Sequence, residues 1–368
     1  MHYHGHSNYY PGHQGPSYNR HSDLFHNLTS TQAPSSHLNP RDNPTTPELL
    51  ADLKTLPDSS LSPAGRTIKS ILLKDFTTGT TPQDLKTVYV RPPSGSPASS
   101  KACRADACCI WSHIVADMVP HFQDRSTGQC SSLARDAIRL GFHDAGTWSK
   151  TLGGGGADGS IALSDDEWKR PENRDLEEIV ARMKLWYAKW NLLLSPGGKK
   201  MVSMADLIQV GASVATVTCP LGPRVRTFVG RNDTEKEAPV GRLPDVFSDA
   251  GTIVRLFEDK TIPLEDLIAL IGAHTTSTQH FVDPSRDDAP QDSTPGVWDV
   301  SWYNETVSED RRNEDVFVFP SDAALARHEG VEGIWDAFAR SEQGGWNDVS
   351  GPPFEVNYSL GTKRQRRC

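Results

Sequence analysis

The 368-residue chain has no apolar run near the roughly 18 residues needed to cross a bilayer, so no membrane-spanning helix is expected. Basic charge is also short. Lys and Arg total 38 against 47 Asp and Glu, for a net charge of −9 and a pI near 5.8. That balance excludes a general nucleic-acid binder, whose footprint is an excess of Lys and Arg. Cysteines at C-x-x-C spacing are missing, and so is H-E-x-x-H or any equivalent, which excludes a zinc hydrolase built on those patterns. No internal repeat is present, and no apolar h-region marks a signal peptide. Hydrophobic residues make up only 36%, low for a wholly globular chain.

The deficit sits at the N-terminus. Residues 1–46 are rich in His, Pro, Ser, Asn and Tyr and hold few aliphatics, so they read as a disordered tail. His2, His4 and His6 alternate within it, and a low-complexity tail accounts for them. Residues 47–100 read as an extension and linker, with short amphipathic stretches at 49–56 and 67–76 and then PPSGSPASS. The length allows two or three average domains or one large core with tails. The change of character at residue 101 favours one body over 101–368. Its 3.6-residue periodicity predicts helices at Ile110–Phe122, Ser131–His143, Leu176–Asn191, Met204–Val217, Thr252–Glu258, Pro263–His274 and Ala323–Ala339. Strand-type alternation is scarce, so the body reads as mainly α.

Six cysteines, Cys103, Cys108, Cys109, Cys130, Cys219 and Cys368, form an even set. They suggest three disulfides and an oxidising compartment, with the pairing left open by the sequence. N-x-S/T sequons at Asn27, Asn232, Asn304 and Asn357 fit secretion.

The chemistry concentrates in three segments. In SSLARDAIRLGFHDAGTW, helical spacing puts Arg139 and His143 on one face, with Asp136 and Ser132 in the same stripe. A histidine beside a fixed cation suits a step in which a proton moves while negative charge develops. The cation also lowers the histidine pKa. In GGGGADGS, Gly154, Gly156 and Gly159 match G-x-G-x-x-G, but the strand–turn–helix context of a dinucleotide site is missing. Asp144, Asp158 and Ser160 with exposed backbone carbonyls better fit a calcium loop. In PLEDLIALIGAHTT, Leu267, Leu270 and Ile271 precede His274 by seven, four and three residues, which places it on a buried face. A buried neutral imidazole can hold a haem iron if a second group orients the ring. The loop DSTPGVWD from Asp292 to Asp299 again offers calcium-type oxygens.

IRLGFHDAGTW, GGGGADGS, IGAHTT and QDSTPGVWD together resemble the secreted fungal class II haem peroxidases of the plant-peroxidase superfamily, in their ascomycete form. The resemblance spans about Cys103 to Ala339 and keeps family order and spacing. It implies a two-lobed helical fold with haem b between a distal and a proximal lobe, and two calcium ions. By the same resemblance Arg139, Phe142 and His143 are the distal set and Asn173 accepts a hydrogen bond from that histidine. Glu167 is then a structural glutamate. His274 would be the iron ligand and Asp322 its carboxylate partner. Asp144, Gly156, Asp158 and Ser160 would bind one calcium. Thr275, Asp292, Thr294, Val297 and Asp299 would bind the other, Val297 through its carbonyl. The implied disulfides are Cys103–Cys109, Cys130–Cys219 and Cys108–Cys368. Expected partners are hydrogen peroxide and small aromatic or phenolic reductants, acting on an extracellular monomer.

Several positions depart from the family. Where manganese-oxidising relatives have three carboxylates, this chain has Ser132, Asp136 and His280, a poor hard-cation set. The position of the ligninolytic surface tryptophan holds Ala269, while Trp148, Trp168 and Trp302 are more simply core residues. Gln291 stands where many relatives stack an aromatic near the proximal histidine, so no protein radical is expected there. Two other readings remain on sequence: a class I-like intracellular peroxidase, and a secreted haem- or calcium-binding protein of this fold with little turnover. The cysteines and calcium-type loops weigh against the first. The intact Arg139, His143, His274 and Asp322 set weighs against the second.

Overall fold

The computed structural model describes residues 55–61, 66, 69, 97–195, 197, 200–225, 227–308, 313–340, 343, 346–347 and 366–367. The tail at 1–46, most of the 47–100 extension, the sequons at Asn27 and Asn357, and Cys368 lie outside them.

Among the described residues eleven α-helices carry the fold, which is mainly α as the periodicity predicts. They are α1 (Lys101–Arg104), α2 (Ala107–Phe122), α3 (Ser132–Ala145), α4 (Ser160–Leu163), α5 (Glu177–Leu194), α6 (Met204–Thr218), α7 (Ala250–Asp259), α8 (Leu264–Ile271), α9 (Ser301–Val307), α10 (Pro320–Ala326) and α11 (Glu332–Arg340). Four two-residue strands, β1 (Phe228–Val229), β2 (Thr278–Gln279), β3 (Ala289–Pro290) and β4 (Arg366–Arg367), form two antiparallel ladders. Phe228 pairs with Arg367 and Thr278 with Pro290.

Local chemistry explains the helix starts. Ser131, Ser203 and Asp249 cap α3, α6 and α7, each side chain accepting from a backbone N–H of the first turn. Such a cap satisfies one donor that the helix leaves unpaired. The α6 helix is apolar nearly all round and is buried along its length, with α3 packed most closely against it. The α2 and α5 helices flank this pair. A second group of helices, α7 to α11, packs together. There Trp302, Tyr303, Trp335, Trp346 and Phe338 form one buried aromatic cluster. Trp148 and Trp302 are core residues, as expected. Leu61, from the predicted extension, is also buried and joins the core.

Three differences from the predicted helices have physical causes. The stretch Ala323–Ala339 is two helices, because the chain turns at Gly330, whose φ of +84° is a conformation that glycine adopts without penalty. The segment Pro263–His274 is α8 followed by a tight 3-10 turn, Gly272–Thr276, which carries His274. A side chain at Gly272 would collide with the Tyr303 hydroxyl and the Trp346 ring, so this turn requires glycine. The helices α1, α4 and α9 have too few turns to show a period, and the sequence does not predict them.

Disulfides join Cys103 to Cys109 and Cys130 to Cys219. The second closes a loop of 89 residues and ties the start of α3 to the end of α6. A buried ion pair fixes the other end of α6. Asp206 Oδ1 accepts from Arg231 Nη1 at 2.9 Å, and Oδ2 accepts from the Gly230 N–H at 2.7 Å. Asp206→Ala would leave the Arg231 charge buried without its carboxylate. The expected loss is about 3–5 kcal/mol of unfolding free energy, read by denaturant unfolding.

Candidate active site

The site is a cavity of about 520 Å³ between α3 on one side and the Gly272–Thr276 turn with α10 on the other. Its volume falls in the range of roughly 300–1,000 Å³ of small-ligand and cofactor sites. Ile138, Phe142, Leu243, Val246, Ile253 and Phe319 make much of its wall apolar. His143 and Arg139 reach it from α3, one turn apart, and His274 and Asp322 from the opposite side.

On the α3 side His143 Nδ1 lies 2.8 Å from Asn173 Oδ1. Asn173 Nδ2 in turn donates to the Glu167 carbonyl at 2.7 Å, which fixes the amide with its oxygen toward the imidazole. An amide oxygen only accepts, so Nδ1 carries the proton and Nε2 keeps a free lone pair. Burial pushes the His143 pKa down to about 3, with Arg139 adding to the fall and Asn173 opposing it. The neighbouring cation visible in the sequence is the smaller cause, and removal from water the larger. Arg139 is anchored by two backbone carbonyls, Nη1 to Arg174 at 2.7 Å and Nη2 to Glu172 at 3.1 Å. Burial lowers its pKa, and Asp136, Asp175 and Glu177 oppose that shift. Phe142 stacks on Phe257 of α7, centroids 6.0 Å apart and planes within 6°. Glu167 ties the region together through Oε2, which accepts from the Ala238 N–H at 2.7 Å.

On the opposite side His274 Nδ1 lies 2.8 Å from Asp322 Oδ2, and Asp322 is fully buried. The ring is held edge-on between Trp302 and Phe319, each with its centroid 5.6 Å away. The buried face predicted for His274 is thus the cavity wall, and its side chain is 32% exposed there. With Nδ1 committed to a carboxylate, Nε2 is the nitrogen left to ligate a metal. An oriented imidazole at the wall of a largely apolar cavity is a donor arrangement that fits haem.

The two acidic loops are also assembled. Asp144 is fully buried and accepts from the Gly159 N–H and from Gln209 Nε2. Burial, then Asp158 and Glu167, hold its carboxyl well above the usual range. Asp158 is raised as well, mainly by burial. Ser160 Oγ is buried beside them without a hydrogen-bond partner among the described residues. Gly156 is buried in the same loop. Two crowded carboxylates and an unpaired hydroxyl fit a hard cation with oxygen ligands. In the second loop Asp292 accepts from Thr275 Oγ1 at 2.8 Å and from Thr294 Oγ1 at 2.6 Å, and Thr294 Oγ1 reaches Asp299 at 2.9 Å. Burial pushes Asp292 up to about 6, and Asp299 adds to the rise. Val297 lies in the turn between them, its N–H bonded to the Thr294 carbonyl.

Of the three positions weighed for manganese, Asp136 and His280 line the cavity, whereas Ser132 is exposed outside it. His280 Nδ1 lies 2.7 Å from Asp287 Oδ1. Of the two described sequons, Asn232 is exposed, while the Asn304 amide donates to the Ala339 carbonyl. Sequence reasoning missed the Phe257 stack and the Trp302–Phe319 clamp. It saw Gln291 only as a missing aromatic. Their spacing from the histidines along the chain carries no periodic signal.

A family model described as peroxidase matches residues 116–341. The chain is 32% identical to a low-redox potential peroxidase of Taiwanofungus camphoratus over 67% of its own length and 72% of that protein. It is 32% identical to versatile peroxidase VPS1 of Pleurotus eryngii over 57% of its length, and 35% identical to ligninase C of Trametes versicolor over 54%. It spans about half the length of these last two, 55% and 53%.

The depressed His143 pKa has a signed consequence. Between about 3 and the ordinary 6.5 the unfolded chain binds this proton and the folded chain does not, so this group's contribution favours unfolding as pH falls through that window. In the folded protein His143 is expected to stay neutral throughout roughly pH 5 to 8. Histidine NMR titration checks this; a midpoint near 6.5 would contradict the burial argument.

Proposed function

The chain belongs to the peroxidase family, and from that premise we propose that it reduces hydrogen peroxide with bound haem and oxidises small aromatic or phenolic donors in single-electron steps. The observation that carries this reading is the pairing across one cavity of His143 with Arg139 on one wall and His274 with Asp322 on the other.

Bound haem supplies the redox chemistry, holding the iron and exchanging electrons with peroxide and donor. The chain's own groups position and move protons. Nε2 of His143, its lone pair left free by the Asn173 hydrogen bond, takes a proton from one oxygen of peroxide and passes it to the other. Arg139, fixed by its two carbonyl partners, offsets the negative charge on the departing oxygen. Nε2 of His274 would hold the haem iron, with Asp322 setting the ring's orientation and electron donation. Phe142 shields the distal space, and the apolar wall limits water.

Asp144, Gly156, Asp158 and Ser160 would hold one calcium ion. Thr275, Asp292, Thr294, Val297 and Asp299 would hold a second. These ions would brace the segments that follow His143 and His274. The manganese positions favour an aromatic reductant, because Ser132 lies outside the cavity and His280 is no anionic ligand. Disulfides at Cys103–Cys109 and Cys130–Cys219 support an extracellular setting over a reducing one.

Haem reconstitution tests the proposal. The chain is expected to develop a Soret band that shifts on adding peroxide, and His274→Ala to lose it. Full haem occupancy with normal turnover in that variant would overturn the assignment. Arg139→Leu is expected to keep haem and to slow the stopped-flow reaction with peroxide by roughly 10²–10³-fold.

Chelation tests the calcium sites. Asp292 has a cation-free folded pKa of about 6, above its ordinary value of 3.8, and Asp144 is shifted the same way. Without a cation the cost of ionising them is absent below about 3.8, grows as pH rises, and is full above about 6 for Asp292. EDTA is therefore expected to lower the melting temperature by roughly 5–10 °C at pH 7 and by less at pH 5. Equal shifts at both pH values, measured by calorimetry, would count against these ligands.

A further inference from the structure

Gln291 follows β3 and is fully buried, with its backbone N–H fixed to the Ser277 carbonyl at 2.9 Å. Its Nε2 lies 3.3 Å from Asp322 Oδ2, the same oxygen that His274 Nδ1 contacts at 2.8 Å. Its Oε1 is buried with no hydrogen-bond partner among the described residues. The second oxygen of Asp322 accepts a long hydrogen bond from the Ser321 hydroxyl, at 3.5 Å.

We propose that Gln291 is a positioning residue that limits electron donation by His274, by sharing the carboxylate oxygen on which that histidine's N–H depends. The inference rests on the haem reading above. An unpaired buried carbonyl is costly, and an apolar side chain of similar size would fill the space without that cost. What the glutamine supplies and an apolar residue cannot is the N–H toward Asp322. Hydrogen bonds to an ionised carboxylate in a dry site are among the stronger ones. Two donors on one oxygen divide its negative charge, so Asp322 draws the His274 proton less. The imidazole then has less imidazolate character and stabilises ferric over ferrous iron less. Partners of a ligating histidine tune the metal in this way, and here the tuning group stands one bond further out.

The test compares the haem-loaded wild type with Gln291→Met and Gln291→Leu. Methionine keeps the length and volume and removes the donor. Both variants are expected to bind haem, and their ferric-to-ferrous ratio at a fixed poise is expected to rise roughly threefold to tenfold. Tenfold corresponds to a midpoint potential lower by about 59 mV. The iron–histidine stretching frequency of the ferrous form, read by resonance Raman, is expected to rise with it. A space-filling role alone would leave the methionine variant at the wild-type potential and stretch, and that result overturns the inference while leaving the haem assignment intact. A wild-type chain that takes up no haem overturns both.

Discussion

Both sides of the cavity depend on one constraint: a histidine offers a defined lone pair only when its other ring nitrogen is held. His143 meets it through Asn173 and His274 through Asp322, each at 2.8 Å. The two acceptors differ in charge, and that difference separates the roles. A neutral amide oxygen fixes the His143 tautomer while adding little electron density, and burial keeps the ring uncharged with its Nε2 lone pair free. A buried carboxylate makes His274 a stronger donor.

Much of the scaffold exists to hold those acceptors. Asn173 sits in a short 3-10 turn whose amide is locked by the Glu167 carbonyl, and Glu167 is itself tied to Ala238. Asp322 enters from the first turn of α10, which Pro320 starts. The acidic loops lie directly after the histidines in sequence, Asp144 after His143 and Thr275 after His274. Burial holds their carboxyls above the ordinary range, a cost that the proposed cations would relieve. A cation there would stabilise the segments that aim both rings, coupling metal affinity to the geometry of the cavity.

What the sequence made legible follows from periodicity and contiguity. The Arg139–His143 face is a helical spacing, and Leu267, Leu270 and Ile271 mark the face that ends at His274. The split at Gly330 was hidden because glycine's backbone freedom is invisible in a hydrophobic pattern, and the flanking helices share one period. Partners brought in by tertiary folding left no local mark. Phe257 stacks on Phe142 from a different helix, and Trp302 and Phe319 reach His274 from segments far along the chain. The family resemblance supplied Asn173 and Asp322, which no spacing rule connects to their histidines.

Burial moves two neighbours on α3 in opposite directions. It lowers His143 to about 3 and raises Asp136 to about 6, because in each case the charged form loses its water. Arg139 adds to the first shift and opposes the second. Above about pH 6 the Asp136 anion therefore offsets part of the guanidinium field, while His143 stays neutral on both sides of that point. In the proposed reaction the Arg139 cation would then be least offset in mildly acidic solution, where Asp136 is protonated and His143 is still neutral. Acid–base competence and electrostatic assistance coexist over the window between the two values. That window exists only because both groups share the same dry wall.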